Sequence, residues 1–196
     1  MWYNGRGRIF NEIFEDFFQK ETGETMGGKD REALTQAEMA AHGAVIAALY
    51  VVLTIIFAPI SFGSAQLRIA EALTILPMFT PAAVPGLFIG CIIANFIGGG
   101  IIVDIIFGSI ATLIGAVAGR MLRKNRWLVP IPAIVSNTVI VPLVLRFGYG
   151  VNMPIPILAL YIAIGEFLGC FVLGELLAQL LIHYGKYMFE KSQGGE

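Results

Sequence analysis

What most constrains this chain is a succession of apolar segments that begins near residue 40 and continues, broken only by turn residues, to residue 184. The hydrocarbon layer of a bilayer takes about 20 apolar residues to cross as an untilted helix. Inside it no water is present to bond backbone N–H and C=O groups, so such segments must satisfy those groups internally, as helices. The turn residues divide the run into six, at about residues 40–60, 67–80, 84–97, 101–122, 127–147 and 156–184. The sequence therefore predicts an all-α integral membrane protein with six transmembrane helices. Composition points the same way, with 57% hydrophobic and 14% charged residues where a soluble domain carries about 25% charge. The second and third segments are short and hold Pro77, Pro81, Pro85 and Gly86, which predicts broken, tilted or partly re-entrant helices there.

Three regions follow. Residues 1–38 form a cytoplasmic or interfacial extension, residues 39–185 a membrane domain, and residues 186–196 a cytoplasmic tail. In the extension Ile9, Phe10, Ile13, Phe14, Phe17 and Phe18 recur at helical spacing opposite Glu12, Glu15 and Asp16, the pattern of a short amphipathic helix. No uninterrupted apolar core follows its basic residues, so it does not read as a signal peptide. Residues 22–28 read as a loop. Of the 13 Lys and Arg, five precede the first span, Arg120, Arg123, Lys124 and Arg126 cluster between the fourth and fifth, and Lys186 and Lys191 follow the sixth. Cytoplasmic loops retain basic residues, and six spans place all three regions on one side, with both termini inside.

A charge at the centre of a bilayer helix costs about 2.5–3.5 kcal/mol on insertion scales, so each one needs a partner or a function. The apolar body carries Arg68 and Glu71 in its second segment, Asn95 in the third, Asp104 in the fourth, Asn137 in the fifth, and Glu166 and Glu175 in the sixth. Arg68 and Glu71 share a helical face and can pair with each other. Counting helical rise from the segment ends puts Arg68, Glu71, Asn95 and Asp104 in the outer third, and Asn137 and Glu166 near the middle. Those six make a candidate pocket opening outward. Glu175, nine residues beyond Glu166, falls on the opposite helical face and reads as interfacial or partner-facing. The asparagines read equally as bonds between helices.

The pocket holds more acid than base, together with two amides. It suits a cationic ligand rich in hydrogen-bonding groups: one carboxylate accepts two N–H bonds from a guanine-like ring edge, another pairs with an ammonium, and an amide or Arg68 donates to a carbonyl. Cys91 and Cys170 lie in apolar runs and read as small packing residues, with no metal set or disulfide framework. No Gly-x-x-x-x-Gly-Lys-Ser/Thr phosphate loop, His-Glu-x-x-His motif or Gly-x-Ser-x-Gly elbow occurs, so the expectation is a protein that is not an enzyme and uses no cofactor. The first span repeats small residues, with Ala40, Ala44 and Ala48 at four-residue intervals among Ala37, Ala41 and Ala47. That spacing lets another helix approach closely, either within the protein or from a partner.

Four runs carry a resemblance: residues 47–63, residues 66–74 with Arg68-x-x-Glu71-Ala72-Leu73-Thr74, residues 81–95, and residues 104–109 with Phe107-Gly108-Ser109. Together they resemble the QueT family of substrate-binding S components of energy-coupling factor transporters, over about residues 40–184. The resemblance implies a six-helix S component in a prokaryotic cell membrane. It would capture a 7-deazaguanine precursor of queuosine, such as 7-aminomethyl-7-deazaguanine or queuine. It implies three partners, a membrane T component and two cytoplasmic ATPases, which would account for the missing phosphate loop. It also makes Ala40, Ala44 and Ala48 the face that meets the T component. The competing readings are an S component for another vitamin, such as riboflavin or thiamine, and a solitary proton-coupled transporter in which Glu166 and Asp104 titrate.

Overall fold

The structure, a computed structural model, describes residues 28–61 and 67–193, with side-chain surroundings for residues 36–61 and 67–183. The amphipathic helix expected at residues 9–18 and most of the loop after it lie outside the described residues. Gly28, expected at the end of that loop, instead begins the first helix.

All regular structure among the described residues is helical. Helix α1 runs Gly28–Ile56 and is followed by a single turn, Ala58–Ser61. The break between them has a local cause: Pro59 has no N–H to offer the Ile55 carbonyl, and its ring crowds that carbonyl. Helix α2, Ile69–Met78, is a 3-10 helix, α3 is Ala83–Ile97, and α4 is Ile102–Met121. Helix α5, Ile131–Leu143, continues into a π turn at Val144–Gly148 beyond Pro142. Helix α6 starts as Ile155–Glu166, passes through a π-helical stretch, Phe167–Leu173, and continues as Gly174–Gln193.

Four stretches are long and apolar enough to cross a membrane: Gln36–Ile56, Ile102–Met121, Arg126–Gly148 and Ile155–His183. Helices α2 and α3 are not. Ten residues of 3-10 helix rise about 20 Å, and fifteen residues of α-helix about 22 Å, against a hydrocarbon layer of about 30 Å. The proline-rich middle of the chain thus shortens its helices, as its composition predicted. The outward surface is apolar, with Val45, Val52, Phe96, Ile106, Ile114, Val139 and Leu160 all exposed. Such a surface suits lipid and would be anomalous in water.

The short α2 is the innermost element: Ala70 through Ile75, Pro77 and Met78 are all buried. Around it the longer helices pack through small residues. Helices α1 and α3 meet at Gly43, Ile46, Ala47 and Tyr50 on one side and Gly86 and Gly90 on the other, where a Cβ on Gly86 would lie 2.6 Å from the Gly43 carbonyl oxygen. Helices α4 and α5 meet at Gly115 and Ala133, and Ser136 Oγ donates to the Ala111 carbonyl at 2.9 Å. This packing divides the alanines of α1. Ala47 is buried against α3, while Ala40, Ala41, Ala44 and Ala48 are exposed.

Candidate functional site

The first turn of α2 enters the molecule with Arg68 and Glu71, both buried. Glu71 and Glu166 are linked through Cys170. Tyr50 of α1 donates its phenol hydrogen to Glu71 Oε1 at 2.5 Å. Cys170 of α6 donates to Glu166 Oε2 at 3.2 Å and lies 3.9 Å from Glu71 Oε2. Asn137 of α5 hydrogen-bonds to Glu166 from the other side. The approach of α6 is close because Gly169 has no side chain: a Cβ there would lie 2.8 Å from the Arg68 carbonyl oxygen.

A second polar group, which meets the first where Cys91 approaches Tyr50, forms between α3 and α4. Asn95 Nδ2 and Asp104 Oδ1 both lie 3.2 Å from where a Cβ on Gly108 would be. Asn95 Nδ2 also approaches Cys91 Sγ at 3.6 Å, and Thr112 Oγ1 donates to the same sulfur at 3.4 Å. Asp104 Oδ2 accepts from the Tyr149 hydroxyl at 2.9 Å. Arg68 interacts electrostatically with both groups, through Glu71 and Asp104. All six residues singled out from the sequence, Arg68, Glu71, Asn95, Asp104, Asn137 and Glu166, are therefore buried. Arg68 links their two clusters. Two buried atoms in this interior, Asn95 Oδ1 and Ser109 Oγ, have no hydrogen-bond partner among the described residues. A buried polar atom without a partner costs about 1–3 kcal/mol, so such atoms mark places where a ligand or water belongs.

Sequence reasoning missed Tyr50, Cys170, Ser109 and Tyr149. Tyr50 sits in an apolar run and looks like a core aromatic, although a buried phenol needs a hydrogen-bond partner. Cys170 stands four residues after Glu166, one helical turn along the same face, which was a usable signal. Both cysteines are free and buried, as expected, but each also touches the polar groups. The Glu71, Glu166 and Cys170 ligand atoms lie within 4.8 Å of one another, so a thiol and two carboxyls from α2 and α6 converge on one point.

Glu175 departs from its expected place. It is buried and paired with Arg126, Nε to Oε2 at 3.1 Å. The guanidinium lies 4.5 Å above the Trp127 ring, which in turn meets Phe171 at 5.9 Å. The π-helical stretch explains the shift. A π turn absorbs one extra residue, so the nine residues from Glu166 to Glu175 cover the rotation of about eight, roughly 80° in place of 180°. Both glutamates therefore turn inward. Arg120, from the same basic cluster, donates to the Pro77 carbonyl at 2.9 Å and fixes the end of α2 to the end of α4.

No solved structure matches the chain. It is similar to the queuosine precursor transporter QueT of Lactococcus lactis subsp. cremoris (strain MG1363), with 37% identity over 81 residues, 40% of this chain and 47% of the relative. The aligned part thus spans about half of that relative's length. The family model described as QueT transporter matches residues 40–183, a stretch that holds all four membrane-length helices apart from the first four residues of α1's span, and all six buried polar residues. The chain is a multi-pass membrane protein and belongs to the QueT transporter family.

Proposed function

We propose that this protein is the substrate-binding S component of an energy-coupling factor importer, and that it captures a 7-deazaguanine precursor of queuosine from outside the cell. The observation that carries the reading is an excess of carboxyl groups over cations. Glu71, Glu166 and Asp104 converge with a single guanidinium, that of Arg68, in the interior of a membrane protein. Ionised groups in such a place need counter-charge and hydrogen bonds. A deazaguanine with an aminomethyl arm supplies both: its ammonium pairs with one carboxylate, its ring-edge N–H groups donate to another, and its carbonyl accepts from Arg68 or an amide. Asn95 and Ser109 offer further groups for the ring. Glu71, Glu166, Asn137, Asp104, Asn95 and Arg68 are the binding residues in this reading, and the name of the Lactococcus relative supports the same ligand class.

In the same reading all six apolar helices count as membrane elements of a prokaryotic cell membrane. Both termini lie in the cytoplasm, on the side of the Arg120–Arg126 cluster. Residues 1–38 and 186–196 flank the membrane domain, residues 39–185. Ala40, Ala44 and Ala48, exposed on α1, meet a membrane T component whose two ATPases supply the energy. The protein itself performs no covalent chemistry.

Equilibrium binding of 7-aminomethyl-7-deazaguanine to the purified protein in detergent tests this, with its cyano analogue, queuine, riboflavin and thiamine as competitors. Binding displaced only by deazaguanines is expected. Displacement by riboflavin or thiamine would move the protein to another ligand class. Uptake that survives loss of the ATPases but collapses with a proton uncoupler would replace the importer with a proton-coupled carrier.

A further inference from the structure

One partly exposed side chain, Tyr149, bonds to the buried polar groups. Helix α4 begins at Ile102 and carries Asp104 in its first turn, and Tyr149 reaches it from the loop that follows α5. The phenol oxygen is used twice: it donates to Asp104 Oδ2 at 2.9 Å and accepts the Ile101 N–H at 3.3 Å. Tyr149 itself is 41% exposed.

The two segments it joins are each jointed by a glycine. Gly99 has φ 78° and Gly150 φ 68°, and a Cβ at either would meet nothing within 4 Å. Glycine is therefore required there by backbone conformation and not by crowding. Beyond the joint, Arg146 Nη1 holds the Val151 carbonyl at 3.0 Å and Asn152 Oδ1 at 2.9 Å, so the far side of the loop is anchored while its near side closes through the phenol. Burial and the neighbouring Asp104 carboxylate push the Tyr149 phenol above its ordinary range, which keeps it a donor at neutral pH. The other oxygen of the buried Asp104, Oδ1, lies with the Asn95 amide beside Gly108.

We propose that Tyr149 is a latch over the mouth of the binding site, which releases Asp104 to admit the ligand and closes behind it. This rests on the pocket assigned above. A latch of this kind governs how fast ligand enters and leaves more than how tightly it is held, because opening is needed in both directions.

Tyr149→Phe removes the hydroxyl and keeps the ring. With the full chain in detergent and 7-aminomethyl-7-deazaguanine as probe, stopped-flow binding is expected to show association and dissociation both faster by about fivefold or more, with Kd changed less than about threefold. A faster dissociation alone, matched by an equal loss of affinity, would make Tyr149 a residue that merely orients Asp104 and would overturn the latch. A second measurement needs no ligand. Amide hydrogen exchange in residues 98–104 and 149–153 is expected to rise about fivefold or more together in the variant, with the rest of α4 unchanged. Exchange that does not change, or that changes only at Ile101, would overturn the proposal. Coupled exchange in a protein that binds no deazaguanine would uphold the latch and reject the ligand assignment.

Discussion

Helix α6 holds two buried glutamates in opposite circumstances. Glu175 is settled by a cation of its own chain, Arg126, at 3.1 Å. Glu166 is held by a thiol and an amide, Cys170 and Asn137, with a second carboxylate, that of Glu71, gathered around the same sulfur. Taking a carboxylate out of water costs several kcal/mol, which a good ion pair offsets and a thiol does not. Glu175 thus has a counter-charge of its own, although neither of its oxygens has a hydrogen-bond partner among the described residues. Glu166 has no cation to itself, since it shares the Arg68 guanidinium with Glu71 and Asp104, and the further cation is the one we assign to the ligand. The π-helical stretch between them lets one helix present both to the interior.

The largest effect expected from this contrast is on ligand binding. Glu166→Gln keeps the shape of the side chain, removes the negative charge and leaves donors and acceptors for Asn137 and Cys170. A hydrogen bond to a charged group contributes about 1.5–3 kcal/mol, so calorimetric titration with 7-aminomethyl-7-deazaguanine should give affinity about 10- to 100-fold weaker. Thermal stability should change little. Unchanged affinity would remove Glu166 from the binding site and, with it, the distinction between the two glutamates.

Much of this site was legible because a bilayer makes charge conspicuous. Arg68, Glu71, Asp104 and Glu166 stand out in runs of apolar residues, and the helical period then says which faces they share. Connections between them were harder to read. Tyr50 and Cys170 belong to residue types that fill cores, and only the convergence of α1, α2 and α6 turns them into hydrogen-bonding partners. The helices themselves followed from apolar length, including the shortness of the second and third. Their internal geometry did not, because 3-10 and π stretches depend on packing that one sequence does not display. Glu175 is the clearest consequence, since an angle computed for a uniform α-helix sent it to the wrong face. Tyr149 sits in a loop with no periodic signal at all.

The next effect in size falls on stability. Arg126→Ala leaves Glu175 buried without its counter-charge. Arg126 is partly exposed, its side chain 29% accessible, so the loss is screened and should come to about 1–3 kcal/mol. Removing both partners, Arg126→Ala with Glu175→Ala, should destabilise less than the single change, because no uncompensated charge remains. Denaturation of the four members of this cycle checks it. A double variant weaker than the unmutated protein by the full sum of the single losses would mean that the two residues act independently and that the ion pair does not serve Glu175.

A smaller effect tests the latch through pH. The Tyr149 phenol lies above its ordinary value, chiefly from burial and then from Asp104, with Arg68 acting in the opposite sense. A group whose folded pKa is raised lends its stability below the unfolded value, about 10 for tyrosine, and loses it as pH climbs through the folded value. Hydrogen exchange near Tyr149, corrected for its intrinsic pH dependence, should therefore stay flat from about pH 7 to 9 and rise only above about 10. Tyr149→Phe should show no such rise.

The smallest effect concerns how far the Glu175 pair reaches. Nine residues of helix separate it from Glu166, about 13 Å. At that distance an ion pair acts as a weak dipole, whereas a lone charge does not. Glu175→Gln strips Arg126 of its partner and leaves a net positive charge facing the site we assign to a cationic ligand, so affinity should fall by about threefold or less at low salt, where screening is weak. Adding Arg126→Gln should restore it, and so should raising the ionic strength to about 1 M, where the Debye length shrinks to about 3 Å. A loss that persists in the double variant would mean that Glu175 shapes the site through packing of the Phe167–Leu173 stretch. The electrostatic separation between the two glutamates would then fail, although their difference in partners would remain.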